Sequence, residues 1–526
     1  MKNIKLLFFI FIGSIILLQY SCSKDSIDFD PQGAISSDIA FKEPAFAELY
    51  LNTVYNNIPH GFAAPEGWYM LTAATDDAEN AYSWPASNTI FNTANITSEN
   101  SPYNRVWENA YFQIRRLNNF IQNYDQLEGT ELINNRLKGE AHYLRGFFYS
   151  LLLQTFGEVP LITVPQELDG DLLVSRDTKE DVLNFITFEL DVAAGLFTNA
   201  TDASSTRGSW DAAMALKGRV LLYNEKYAES AIASKQVLDN TSRSLDSDYE
   251  SVFVTDGASE VIFDTQFNDP DKTHWGNLFN TPKTTVAVSG WGGTGPTQNL
   301  INQYEMHATG MLPAEAGSGY DVNNPYAGRD PRFDASILYD GSEWKGLTWE
   351  FRPGGFAGIA TSGDFTRTGY GMRKMIQEDR NHNIGSTTHW IHLRLGEVYL
   401  NYAEALIEAG SDLGLAVDAI NAVRTRSNMP SIAITGQADL RNKVRHERRI
   451  ELAFEEHRFW DIRRWGIAGD AEVLTIYRVD MDTNGDLIGN GQEIWETRTW
   501  NVSNFLLPIP QSDIDKNSNL TQNPGY

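Results

Sequence analysis

Cysteine is almost absent from this 526-residue chain, with Cys22 standing alone. That excludes an intrachain disulfide and any cysteine-cluster metal site. Basic residues are also scarce. Lys and Arg number 42 against 69 Asp and Glu, a formal net charge of −27 that argues against a nucleic-acid backbone as partner. Long apolar runs are missing too. A membrane-spanning helix needs about 20 apolar residues, and Leu6–Leu18 stops at thirteen. There is no HExxH zinc motif and no GxSxG nucleophile elbow. What remains, at 42% apolar and 21% charged residues, suits a folded globular protein, one large domain or several.

The N-terminus reads as an address. Lys2 and Lys5 precede the apolar stretch Leu6–Leu18, and small Ser21 sits directly before Cys22. This is the pattern of a bacterial lipoprotein signal, cut ahead of a cysteine whose thiol then receives lipid, although Gln19 stands where Leu is usual. Residues 1–21 are therefore expected to be removed, 22–39 to form a lipidated tether, and 40–526 to fold. Two or more acyl chains hold a protein firmly, at about 0.8 kcal/mol per buried CH₂. An acidic protein on an acidic surface stands off rather than lying flat.

From Ala40 to about Leu245 apolar residues recur at three- and four-residue spacing, the helix signature. Tyr103–Tyr124, Leu132–Phe156 and Lys179–Phe197 each show one apolar face, and Gly208–Leu238 reads as a helical hairpin broken at Asn224-Glu225-Lys226. A later hairpin is predicted over Ile391–Ala409 and Gly414–Arg424. Leu216, Gly218, Tyr223, Tyr227 and Ala231 resemble the tetratricopeptide pattern, but the copies are too widely spaced for a tandem array. Between Gly290 and Gly371 the character changes, because this stretch holds 16 of the 41 glycines. Gly-rich backbone with interleaved aromatics predicts long loops and short strands over a helical base, an insertion placed at about 246–390.

Arg441–Trp465 reads as one charged helix with opposite charges three and four apart, solvated or internally paired. Its ERRIELAFEEHRFWDIRRWG run and the LLPIPQSDIDKNSNLTQNPGY tail resemble the SusD/RagB family of nutrient-uptake lipoproteins. Asp28-Phe29-Asp30-Pro31-Gln32-Gly33, the Leu395–Leu400 segment and the lipoprotein start fall where that family has them. The resemblance implies a mostly α fold, a SusD-like arrangement of tetratricopeptide-like helical hairpins supporting a loop-rich, ligand-binding face with few short strands. It implies a lipid-anchored place on the cell surface of the outer membrane, over a partner SusC-like TonB-dependent transporter. It implies capture of oligosaccharides or polysaccharide without catalysis and without a cofactor. A peptide-binding member of the family and a glycoside hydrolase are the competing readings; the latter needs two carboxylates about 5–9.5 Å apart.

A sugar offers apolar C–H faces and a rim of hydroxyls, so its receptor needs flat aromatic surfaces beside polar groups. Of thirteen tryptophans, Trp107, Trp210, Trp390, Trp460 and Trp465 lie in helical patterns and are expected in the core. Trp68, Trp84, Trp275, Trp291, Trp344 and Trp349 lie in loop-rich stretches. The ligand-binding candidates are Trp84, Asn88, Trp275 and Trp291, with Asp76 and Asp77 as hydrogen-bonding carboxylates. Asp480, Asp482 and Asn484 open like a calcium loop, but the twelfth position is Gly491 instead of a bidentate Glu. A hairpin turn on Asn484-Gly485 is the better reading, with Glu493 keeping a non-standard calcium site open. His389-x-x-His392 would set two imidazoles on one helical face, a pair more often packing than ligand. The anchor is tested by Cys22→Ala: membrane fractionation is expected to find the variant released, and a variant still in the membrane pellet contradicts lipidation there.

Overall fold

Thr130, Thr178 and Ser209 each open a helix because a side-chain oxygen takes up an orphan backbone N–H, from Ile133 at 3.4 Å, Asp181 at 3.2 Å and Ala212 at 3.1 Å. The computed structural model describes residues 41–63, 70–82, 87–167, 169–170, 172–197, 204–360 and 363–526, with the side chains of 63 and 87–89 excepted. The expected signal and tether, and Trp68 and Trp84, lie outside the described residues. The main helices are α1 (Pro44–Tyr55), α2 (Asn104–Asn123), α3 (Glu131–Phe156), α4 (Lys179–Leu196), α5 (Trp210–Tyr223), α6 (Tyr227–Asn240), α7 (Leu395–Glu408), α8 (Leu413–Arg426), α9 (Gln437–Glu451) and α10 (His457–Arg464).

These helices form a mostly α array of hairpins. Helix α3 packs on α1, α2 and α4, and α5 lies between α4 and α6. Helix α7 then packs on α6, α8 and α9, although some 150 residues separate it from α6 in sequence. The loop-rich insertion thus leaves the array after α6 and returns at α7 without breaking the stack. One core fills the first five helices, with Leu117, Phe120, Leu144, Phe148 and Leu190 fully buried. A second lies within the insertion around Phe333, Trp349, Phe351 and Met372, and a third joins α7, α8 and α9 through Leu400, Ile420 and Val444.

Strand β1 (Val261–Thr265) pairs antiparallel with β2 (Trp390–Arg394), tying the insertion to the start of α7. The helix expected from Ile391 therefore begins only at Leu395. Residues 390–394 are strand because they supply the edge that β1 needs, and a five-residue apolar run does not by itself separate strand from helix. His389 and His392 consequently share no helical face. His389 bonds Asp264 at 2.6 Å, and His392 bonds the Thr265 hydroxyl at 2.9 Å. Strand β3 (Thr475–Met481) and β4 (Leu487–Thr497) form a hairpin turning at Asn484-Gly485, where Gly485 takes a φ of +90°. The Asp482 carboxylate accepts the backbone N–H groups of Asn484 and Asp486 there, at 2.8 and 3.0 Å.

The Arg441–Trp465 segment is two helices instead of one, broken where Phe454 and Glu456 adopt left-handed backbone. Most of its charges are internally paired, with Arg441 and Lys443 left about a third exposed. Five carboxylates (Glu260, Asp330, Glu447, Glu451, Glu455) meet five cations (Arg332, Lys374, Arg394, Arg424, Arg426), each side chain at most 3% exposed. Glu451 is the centre: Arg332 reaches it at 2.9 Å, Arg394 at 2.7 Å, and Arg426 completes the ring. Burial alone would raise the Glu451 carboxyl, but these arginines bring it well below the usual carboxylate range. Gly396 is dictated by this crowding, since a Cβ there would stand 2.3 Å from Arg394 Nη1.

A second buried set joins the helices. Arg448 and Arg464 share Glu404 and Asp461, while Arg219 of α5 pairs with Glu397 of α7. Partial removal of such a set leaves a charge stranded in low dielectric, which costs about 3–5 kcal/mol. Glu451→Gln is therefore expected to lower unfolding free energy by about 3–5 kcal/mol in denaturant titration; an unchanged midpoint contradicts the central role of Glu451. Acid supplies a separate test. Burial would raise Glu397 and Asp461, yet Arg219 holds the former, and Arg448 with Arg464 the latter, at about 2. Unfolded carboxyls titrate at about 4, so this stabilisation is complete above that pH and lost as pH falls through about 2. The thermal midpoint is expected to fall steeply between pH 4 and 2, and a midpoint flat across that window contradicts the account.

Candidate functional site

Arg449 of α9 and Arg458 of α10 point away from the ion cluster and clamp the early loop. Arg458 donates to both Asp76 oxygens at 2.9 and 2.8 Å, and Arg449 spans Asp76 at 2.8 Å and Asp77 at 2.7 Å. Burial would raise the Asp76 carboxyl, but the two guanidinium groups bring it down to about 2. Burial and the neighbouring Asp76 charge push Asp77 up, so Asp76 is the firmly ionised member. Both residues are buried, at 3% and 1% exposure. The sequence predicts that they hydrogen-bond a ligand; buried acids need partners, and here arginines of the same chain supply them.

The clamp fixes the backbone of residues 78–82. Thr297 donates its backbone N–H to Asp77 at 3.0 Å, and Ala78 and Glu79 pair antiparallel with Pro296 and Gly295. Arg498 ties down Glu79 and the Ala78 carbonyl. The chain then turns on Asn80, whose side-chain oxygen accepts the Tyr82 N–H at 2.8 Å, and the Tyr82 hydroxyl donates to the Phe279 carbonyl at 3.3 Å.

Phe279 belongs to a short helical turn, Gly276–Asn280, and residues 290–293 lie against it. Trp291 donates its N–H to Leu278 at 2.8 Å, Gly292 to Thr281 at 2.9 Å and Gly293 to Phe279 at 2.6 Å. The Gly-rich run is required by this contact, because a Cβ on Gly293 would meet the Tyr82 oxygen at 2.6 Å. Trp291 is left 37% exposed, its ring flanked by Phe279 at 5.3 Å and by Tyr82 edge-on at 6.3 Å.

Trp275 caps the other end of the same turn and is 47% exposed. Its base is rigid. His274 is stacked on Phe62 at 4.0 Å and packs edge-on to Phe267 at 4.5 Å. Nδ1 of His274 accepts the Gly276 N–H at 3.0 Å, so Nε2 carries the proton and donates to Thr388 at 2.9 Å. Burial pushes this imidazole down to about 3, so it stays neutral. The two indoles are thus both partly exposed on one short turn, Trp275 at its start and Trp291 through its backbone bond to Leu278, a candidate ledge.

The other candidates divide. Trp84 lies outside the described residues, and Asn88 is in a short helix, Ser87–Asn92, with its side chain outside the description. Trp344 and Trp349 are buried at 1% and 0% within the insertion's own core, so a loop-rich sequence does not place them on the surface. Sequence reasoning misses Phe279. Its only signal is the glycine run 290–293, which must lie against something.

Comparison with known proteins adds an independent line. A family model described as the SusD family matches residues 259–526, and one described as starch-binding associating with outer membrane matches 35–222. The SusD-like protein P2 of Formosa agariphila is 24% identical over 558 residues, covering 100% of both chains. A crystal structure of a SusD-like protein from Bacteroides fragilis superposes with a TM-score of 0.82 at 30% identity, covering 94% of this chain and 99% of the other. A SusD-like carbohydrate-binding protein from the same species gives 0.81 at 27% identity, covering 91% and 99%.

Proposed function

We propose that the chain, which belongs to the SusD family and resembles carbohydrate-binding and starch-binding proteins of it, captures oligosaccharides or polysaccharide on the Trp275–Trp291 ledge. In this reading Cys22 carries lipid, the folded part stands on the outer face of the outer membrane, and the glycan passes to a SusC-like TonB-dependent transporter. The description of the matching family model supports the membrane association. No helix among the described residues is long and apolar enough to cross a membrane, in keeping with attachment by lipid.

The observation that carries the proposal is the pair of exposed indoles held by a buried frame. Indole faces match the C–H faces of pyranose rings, and a ledge already rigid loses little entropy when a ligand settles on it. Binding without cleavage is supported by the state of the nearby acids. Asp76 and Asp77 are buried and bound to Arg449 and Arg458, so neither is presented to a glycan resting on the ledge.

Trp275 makes no ring contact among the described residues, so Trp275→Ala is expected to leave the thermal midpoint unchanged while weakening a bound glycan by about 1–2 kcal/mol, roughly five- to thirtyfold in Kd. Calorimetric titration against a polysaccharide panel, with reducing ends assayed in parallel, checks this. Intact affinity in the variant removes the ledge from the site, and steady release of reducing ends by the wild type favours a glycoside hydrolase.

A further inference from the structure

A roomy cleft lies elsewhere. About 740 Å³ opens among α2, α3, α5, β2 and α10, walled by Tyr103, Leu151, Trp390, Trp460, Phe505 and Leu506. That volume falls in the range of small-molecule sites, roughly 300–1,000 Å³.

Its charged lining is almost wholly neutralised. Arg219 pairs with Glu397, Arg464 with Glu404 and Asp461, and Glu455 with Lys374 and Arg394. Burial pushes His457 down to about 4 and the Glu456 carboxyl well up, so neither adds a firm charge. Arg463 is the exception. It is 8% exposed, and among the described residues no carboxylate lies within 4.0 Å of it. Nε donates to the Asn504 carbonyl at 3.2 Å and Nη1 to the Phe459 carbonyl at 2.8 Å, while Nη2 bonds nothing among the described residues. One face of the guanidinium lies 3.4 Å from the Phe459 ring centre, with Trp500 at 5.0 Å.

A buried guanidinium without a counter-ion is costly. Arg329 and Arg367, about as buried, also lack a carboxylate partner among the described residues but give both Nη atoms to backbone carbonyls, whereas Nη2 of Arg463 does not. Exposed Arg105 and Lys179 also line the cleft, against exposed Glu225 alone. The net charge facing the space is positive, and its walls are aromatic. We propose that this cleft is a second ligand site, taking a carboxylate carried on a ring with an apolar face, and that Arg463 receives the carboxylate. The ring packs on the aromatic walls, and Nη2 supplies the unused donors. A hexuronate unit of an acidic glycan and an aromatic acid share this chemistry. The site uses no residue of the Trp275–Trp291 ledge and stands without it.

Three probes, titrated by calorimetry into the Trp275→Ala protein so that the ledge does not contribute, separate the sources: a glucuronate-terminated disaccharide, its neutral glucose counterpart and 2-naphthoate. At least one carboxylate probe is expected to bind, with the disaccharide identifying a glycan source and naphthoate an aromatic acid. Arg463→Gln should weaken that binding about tenfold or more, as loss of a charge-assisted pair does. Leu151→Trp, which narrows the cleft from another wall, should weaken it as well. Circular dichroism confirms that each variant is folded; if Arg463→Gln is not, Leu151→Trp decides. The proposal is overturned if neither acid binds, if the neutral disaccharide binds as tightly as its acid in this background, if a folded Arg463→Gln protein binds normally, or if the Leu151→Trp protein binds normally.

Discussion

Glu451 accepts guanidinium groups from Arg332, Arg394 and Arg426 at a depth where water is excluded, and those arginines come from the insertion, from β2 and from α8. Elements far apart in sequence are thereby forced into one arrangement. Apolar packing is tolerant, since side chains of similar volume substitute for one another. A buried charge is not tolerant, because a misplaced partner strands it. The ion cluster therefore specifies how the insertion sits on the helical array, a task the separate apolar cores leave underdetermined.

The ledge inherits that precision. From α9 and α10 the order runs outward through Arg449 and Arg458 to Asp76 and Asp77, along the paired backbone of 78–79 and 295–296, and ends at Tyr82 beneath Trp291. Trp275 is held by a parallel route through His274 and its two aromatic neighbours. Loops that present binding groups are ordinarily the mobile part of a fold. Here each loop is bonded, residue by residue, to a frame whose charges cannot shift independently.

Much of this is legible in the sequence. The hairpin broken at 224–226, the helices read over Leu132–Phe156 and Lys179–Phe197, and the turn at Asn484-Gly485 arise from local chemistry that acts over three or four residues. The C-terminal run and tail indicate the family, which the family models bear out. Burial is not legible. Alternating acids and bases over 441–465 look the same whether they face water or one another, so that segment reads as a charged helix, and not as the hub. For the same reason Asp76 and Asp77 resemble free carboxylates. Trp344 and Trp349 sit among glycines as Trp291 does, but Phe351 and their own stacking enclose them. Which aromatic faces outward depends on contacts between distant segments, and no local window contains them.

The account's central claim is that exposed indoles on a charge-locked frame bind sugar and leave it whole. A crystal structure of the protein with an oligosaccharide selected from a carbohydrate array addresses it directly. Pyranose rings stacked over Trp275 and Trp291, with every glycosidic bond intact, are the predicted result. Sugar bound away from both indoles, or present only as cleaved fragments, would contradict it.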